Sequence, residues 1–172
     1  MSHKEIFFIF IMIFHSAIML VDEFYFHIKR GLSKWERIGH PVDTFSVLLC
    51  FLCVFFLDYN SVNQVLYISF SVLSCLLIIK DEGVHLKTCT AQEQRLHALL
   101  FILHPIFLSI IYHSWISFQN KAELSNFYHA TPFKLFIIFM FFSGVIFFFH
   151  QVFYWNYFTK GKPSHDFTAS KQ

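Results

Sequence analysis

Apolar residues along this chain gather into five long blocks, Ile6–Val21, Val42–Leu57, Val62–Ile79, Leu96–Phe118 and Phe133–Tyr157. Each is near the ~17–25 residues that a helix needs to cross the hydrocarbon core of a bilayer. The blocks predict an all-α integral membrane protein with about five transmembrane helices. The first block is the shortest and follows Lys4, as the apolar region of a signal peptide would. No small-residue cleavage pattern follows it, and the next residues are the acidic Asp22 and Glu23, so the expectation is a retained helix.

The polar residues between the blocks recur in a fixed order. Asp22-Glu23 with His27 and Lys29 follows the first block, and Asp81-Glu82 with His85 and Lys87 follows the third. Each set leads to a second acidic/histidine pair, Glu36 with His40 and Glu93 with His97, before the next apolar block. The repeat predicts that the first four helices form two helical hairpins, Ile6–Leu57 and Val62–Phe118, related by a pseudo-twofold axis along the membrane normal. The fifth span has no counterpart and is expected on one flank. A single transmembrane metal-binding domain over 1–158 and a short cytoplasmic tail over 159–172 follow from this layout. Gly39 and Pro41 are expected to break a short interfacial helix and start the second span, with His40 in an extended pre-proline conformation. Pro105 is expected to distort the fourth span beside His104.

Composition narrows the setting. Only 14% of the 172 residues are charged, well under the ~25% of soluble domains. The net charge of +2 and the lack of a basic aromatic stripe or Gly-rich phosphate loop exclude nucleic acid as a partner. Lysine and arginine crowd the connections after the first and third blocks (Lys29, Arg30, Lys34, Arg37; Lys87, Arg95) and the tail (Lys160, Lys162, Lys171). The other side holds Lys4, Lys121 and Lys134. The positive-inside rule then gives an N-out, C-in protein, with a bacterial inner membrane as the default location for so compact a chain. Cys50, Cys53 and Cys75 lie in apolar blocks and Cys89 in a connection, so no disulfide framework is implied. Cys50 and Cys53 read as packing residues, because no second cysteine pair is present to relay electrons.

The spacing of acids and histidines carries the candidate chemistry. Glu82 and His85 are three apart; Glu23 and His27, Glu36 and His40, and Glu93 and His97 are four apart. Such pairs share a helix face and can offer a carboxylate and an imidazole to one cation. Four carboxylates and four imidazoles form the predicted metal set. Mixed oxygen and nitrogen ligands favour Fe, as two ions, with Zn as the alternative divalent metal. His15, His104 and His150 form a possible additional site: at ~1.5 Å per residue they lie on the order of 10 Å below the same membrane surface. Asp22, Asp43 and Asp81 are candidate outer partners that orient imidazole N–H groups. Taken singly, Glu23, Glu36, Lys29 or Arg37 reads as a solvated face, His113 as bonded to backbone, and His3 and His129 as surface residues. The combined set, repeated on one side, points to a metal site.

The Glu-x-x-His spacing at Glu82 and His85 is also that of di-iron carboxylate bundles. The layout is similar in kind to integral-membrane di-iron desaturases and hydroxylases, which gather histidines on the cytoplasmic face beside an acyl-chain tunnel. Their closely spaced HxxHH boxes are missing here. The expected function is a membrane oxidoreductase acting on a lipid or other lipophilic substrate. An external electron donor is implied, since no flavin or nicotinamide motif is present. Alternatives are a Zn-dependent membrane hydrolase, or a haem-binding or metal- or proton-handling protein without catalysis.

Overall fold

The computed structural model describes residues 1–80, 83, 85, 89–119 and 131–159. Helix α1 (His3–Val21) starts where Ser2 and Glu5 form a capping box, each side chain accepting from the other's backbone N–H. It passes without a break into a π-helical turn, Asp22–His27, and a last α turn, Ile28–Arg30. Gly31 ends it at φ 79°, a conformation that costs other residues a steric clash at Cβ. Ser33 with Glu36 caps α2 (Lys34–Phe56), Asn60 caps α3 (Ser61–Ile79), and Thr90 with Glu93 caps α4 (Ala91–Phe118). Thr131 caps α5 (Pro132–Phe153), whose first residue is a proline with no N–H to leave unpaired. A second π segment, Tyr154–Phe158, continues α5.

Among the described residues every regular element is helical, and five helices are long and apolar enough to cross a membrane. Their outward faces fit that setting. Phe14, Ile68, Phe142 and Ile146 are all exposed, and a continuous apolar surface of this kind is rare on a soluble monomer.

Pro41 does not break the chain as expected. α2 runs unbroken through Gly39, His40 and Pro41, and His40 is helical. The capping box at Ser33 fixes the first turn upstream of the proline. Pro41 then forfeits only its own bond to the carbonyl four residues back, and the pre-proline bias toward extended backbone yields to packing. Both Gly39 and Pro41 are buried. α4 likewise continues through Pro105, whose carbonyl accepts from Ser109 Oγ at 2.8 Å.

α2 is the central helix, packed against α3, α4 and α5. α1 lies mainly on α4, and α3 on α2. Consecutive helices α1 and α2 barely touch. The core between the helices is aromatic and aliphatic, with Met12, Phe51, Val54, Ile111, Trp115 and Ile137 fully or almost fully buried. Near the start of α1, the bundle is tied by neutral hydrogen bonds between helices. Trp115 Nε1 donates to the Leu57 carbonyl at 3.0 Å, and Tyr67 Oη donates to the Leu108 carbonyl at 2.7 Å. The opposite end gathers the end of α1, the starts of α2 and α4, His85, and the end of α5.

Candidate functional site

The π turn at the end of α1 sets the geometry. Its wider i→i+5 spacing brings Asp22, Glu23 and His27 into the interior together, and all three are buried. Turns of this kind are frequent at functional sites. Glu36 and Glu93 are each the third residue of a helix, and His40 and His97 follow one turn later on the same face. The two capping boxes thereby aim four predicted ligands at the same end of the bundle.

His27 is the hinge of the cluster. Its Nδ1 lies 3.2 Å from Glu23 Oε2 and its Nε2 lies 3.2 Å from Asp22 Oδ2. Asp22 Oδ1 is 3.0 Å from His97 Nε2, so one carboxylate reaches imidazoles from the end of α1 and the start of α4. His40 Nδ1 is 4.0 Å from Glu23 Oε2, and His85 Nε2 is 3.5 Å from Glu36 Oε1. The His85 and His97 rings are 4.3 Å apart between centroids, and the His27 and His40 rings 4.6 Å. Two three-residue groups of candidate ligand atoms share no residue: Glu23, His27 and His40 in one, His85, Cys89 and His97 in the other. Within each, the atoms lie within 4.8 Å of one another.

Several nitrogens in this cluster have no hydrogen-bond partner among the described residues. They are His27 Nε2, both nitrogens of His85, His97 Nδ1 and His150 Nε2. The close Asp22 and Glu36 carboxylate oxygens meet His27 and His85 without hydrogen-bond alignment. A buried polar atom left in this condition is unusual and calls for an explanation.

Arg30 organises the other side of the cluster. Its guanidinium forks onto Glu36 at 2.7 and 3.1 Å, and its Nε donates to Glu93 at 3.1 Å. Glu36 and Glu93 are thus engaged twice, by Arg30 and by the backbone of their own caps. Trp155 Nε1 donates to Glu23 from the second π segment, and His150 Nε2 lies 3.6 Å from the same carboxylate.

Seven of the eight predicted ligands therefore converge: Glu23, His27, Glu36, His40, His85, Glu93 and His97. Glu82 and Asp81 lie outside the described residues. Asp22 stands among the ligand groups rather than behind them, while Asp43 pairs with Lys80 at 2.8 Å. His15, His104 and His150 do not form one set. His150 joins Glu23, whereas His15 and His104 make a separate pair with ring centroids 5.8 Å apart. His104 Nε2 meets Ser74 Oγ at 2.8 Å, and His15, stacked on Phe107, has both nitrogens unpartnered among the described residues. On the other side, His113 bonds Lys4 Nζ at 2.7 Å rather than backbone.

A cavity of about 480 Å³ joins the cluster to the His15–His104 pair, between α1, α2, α4 and α5. Its size falls within the ~300–1,000 Å³ of small-molecule sites. Beyond the cluster its walls are mostly apolar, with Phe51, Phe107, Phe136 and Phe147 prominent.

No protein-family model, no curated protein and no solved structure matches the chain. Its chemistry has to be read from the site itself. Sequence reasoning passed over Arg30, Trp155 and Cys89. The first had a signal: the capping-box spacings Ser33–Glu36 and Thr90–Glu93 mark two glutamates fixed at helix starts, where a neighbouring cation has a geometric target. Trp155 is 132 positions from Glu23, and no local pattern connects them.

Proposed function

We propose that this chain is an integral membrane metalloprotein with a two-metal centre, and that it oxidises a lipid or other lipophilic substrate held in the adjoining cavity. One observation carries the reading: two ligand groups with no residue in common lie side by side, and Asp22 reaches an imidazole of each. Glu23, His27 and His40 would hold one ion, and His85 and His97 with Cys89 the other, Asp22 lying between them. The unpartnered imidazole nitrogens fit this donor set, because a neutral imidazole buried without a donor or acceptor has a lone pair to give a cation. Four carboxylates, Asp22, Glu23, Glu36 and Glu93, are buried in the cluster, and the Arg30 guanidinium pairs with two of them, Glu36 and Glu93. That excess of negative charge in a poorly solvated place also favours bound cations.

Fe is the metal of choice for the carboxylate–imidazole group, and the pair of ions would supply oxygen activation next to the apolar cavity. The chain's own residues do the positioning. Trp155 holds Glu23, Arg30 holds Glu36 and Glu93 in place, and the phenylalanines keep water from the substrate's apolar part. Dioxygen and an external two-electron donor complete the requirement. The same reading takes the two hairpins as a pseudo-twofold repeat and the site end as cytoplasmic, in a bacterial inner membrane.

Zn hydrolysis is the second reading, and Cys89 favours it, since a thiolate with two imidazoles is a common Zn set. A haem between facing imidazoles has less support, as His104 Nε2 is directed at Ser74. Elemental analysis of the purified protein together with its optical spectrum decides among them. Two Fe per chain supports the oxidoreductase, one Zn the hydrolase, and a Soret band the haem protein. Metal content that survives joint replacement of His27, His40, His85 and His97 by Ala in a folded protein would end the metal-centre reading.

A further inference from the structure

The cavity has an opening whose position says where its occupant comes from. Its exposed lining residues all lie on α1 and α5: Ile13, Ala17 and Leu20 on one helix, Phe139 on the other. Those on α2 and α4 are buried or half-buried. α1 and α5 make few contacts, and their aromatic contacts sit at the two ends of the seam. Phe8 meets Phe133 at one end, with centroids 6.4 Å apart, and Phe24 meets His150 at the other, at 4.8 Å. Between these ring pairs the seam is lined by small or apolar side chains, notably Ala17 and Ser143. Small residues leave a gap where helices would otherwise close.

We infer that this seam is a lateral doorway, and that a single aliphatic lipid chain enters through it from the bilayer. The rim residues are apolar and face outward on helices that cross the membrane, so the doorway opens into hydrocarbon and not into water. What surrounds such a rim is aliphatic chain. An occupant passing Phe136, Phe147, Phe51 and Phe107 finds apolar walls, and then meets the carboxylate–imidazole cluster at one end. The buried His15, with both nitrogens unpartnered among the described residues, stands partway along that route. It offers one hydrogen bond to a hydroxyl or carbonyl carried on the chain. The doorway deepens the function proposed above by naming its substrate class and route, and its use in catalysis rests on that reading.

Photolabelling tests it. The full-length protein is reconstituted in phosphatidylcholine vesicles with either a diazirine-bearing fatty acid or a phosphatidylcholine carrying the diazirine on one chain. After illumination the labelled peptides are mapped by mass spectrometry. Adducts are expected on the buried Phe51 and Phe107 as well as on the outward Phe14 and Phe142. Ala17→Trp and Ser143→Trp, made separately to fill the seam from either helix, should lose the inner adducts and keep the outer ones. Inner adducts from the fatty acid alone identify a free acid as the occupant; from both reagents, they extend it to phospholipid chains. The doorway is overturned if inner adducts are missing from the parent protein, or if they persist in both folded variants. Metal content is measured on the same samples. Full metal without inner labelling removes the doorway and leaves the metal reading; inner labelling without metal does the reverse.

Discussion

The two ends of this helical bundle treat their polar groups differently. At the end near the start of α1, polar side chains are matched in pairs: Trp115 with the Leu57 carbonyl, Tyr67 with the Leu108 carbonyl, Lys4 with His113. The groups are neutral or exposed, and each hydrogen bond joins one helix to another. At the opposite end charges are buried, one arginine serves two glutamates, and several imidazole nitrogens face no partner among the described residues. The pairs at the first end are satisfied within themselves. The second is held in shape by Arg30, the capping boxes and Trp155, yet leaves several imidazole nitrogens without a partner among the described residues. A bundle needs the first kind of end for stability; the second has the makings of a binding site.

The strongest way to break this contrast is to remove the cation that holds the second end together. Arg30→Met leaves Glu36 and Glu93 buried without their partner and should destabilise the protein by about 3–5 kcal/mol, measured by thermal unfolding in detergent. Next in size, His27→Ala or His97→Ala should lower metal affinity ~10–100-fold or more, read by competition with a chelator. Stability without metal should change far less, because each imidazole is only partly engaged. At the first end the pattern reverses. Tyr67→Phe deletes one interhelical hydrogen bond and should cost about 1 kcal/mol in unfolding with no loss of metal. Ser33→Ala should sharpen the comparison from within the site, costing ~1 kcal/mol through the lost cap while Glu36 stays on Arg30. His113→Ala, with its partly exposed partner, should fall within about 0.5 kcal/mol and leave metal content unchanged.

The helices and the side on which the acids and histidines meet were legible in the sequence, because apolar length and i,i+4 spacing are local properties. The capping spacings Ser33–Glu36 and Thr90–Glu93 were present in the sequence but passed over. They turn Glu36 and Glu93 from free ligands into residues with backbone and arginine partners. The continuity of α2 through Pro41 was misread, since a local bias at His40 was given more weight than a cap seven residues upstream. The Trp155–Glu23 contact and the separation of His150 from His15 depend on how α5 settles beside α2, and no neighbouring residues encode that.

The π turn of α1 has a consequence for rotational phase. His15 and His27 are twelve positions apart, and at about 100° per residue a regular α-helix would point them roughly 120° away from each other. A π turn absorbs one residue without advancing the winding, so the effective count is eleven and the two imidazoles come within about 20° of a common line. The π turn acts as a phase correction for the extra residue: it lets one helix serve both the His15 level and the cluster at its end. Deleting a single residue from Phe24–Phe26 would restore regular winding and keep the span apolar. It would also leave His27 eleven regular positions from His15, at the same offset of about 20°, so the two levels should stay in register while the spacing of His27 from Asp22 and Glu23 shortens.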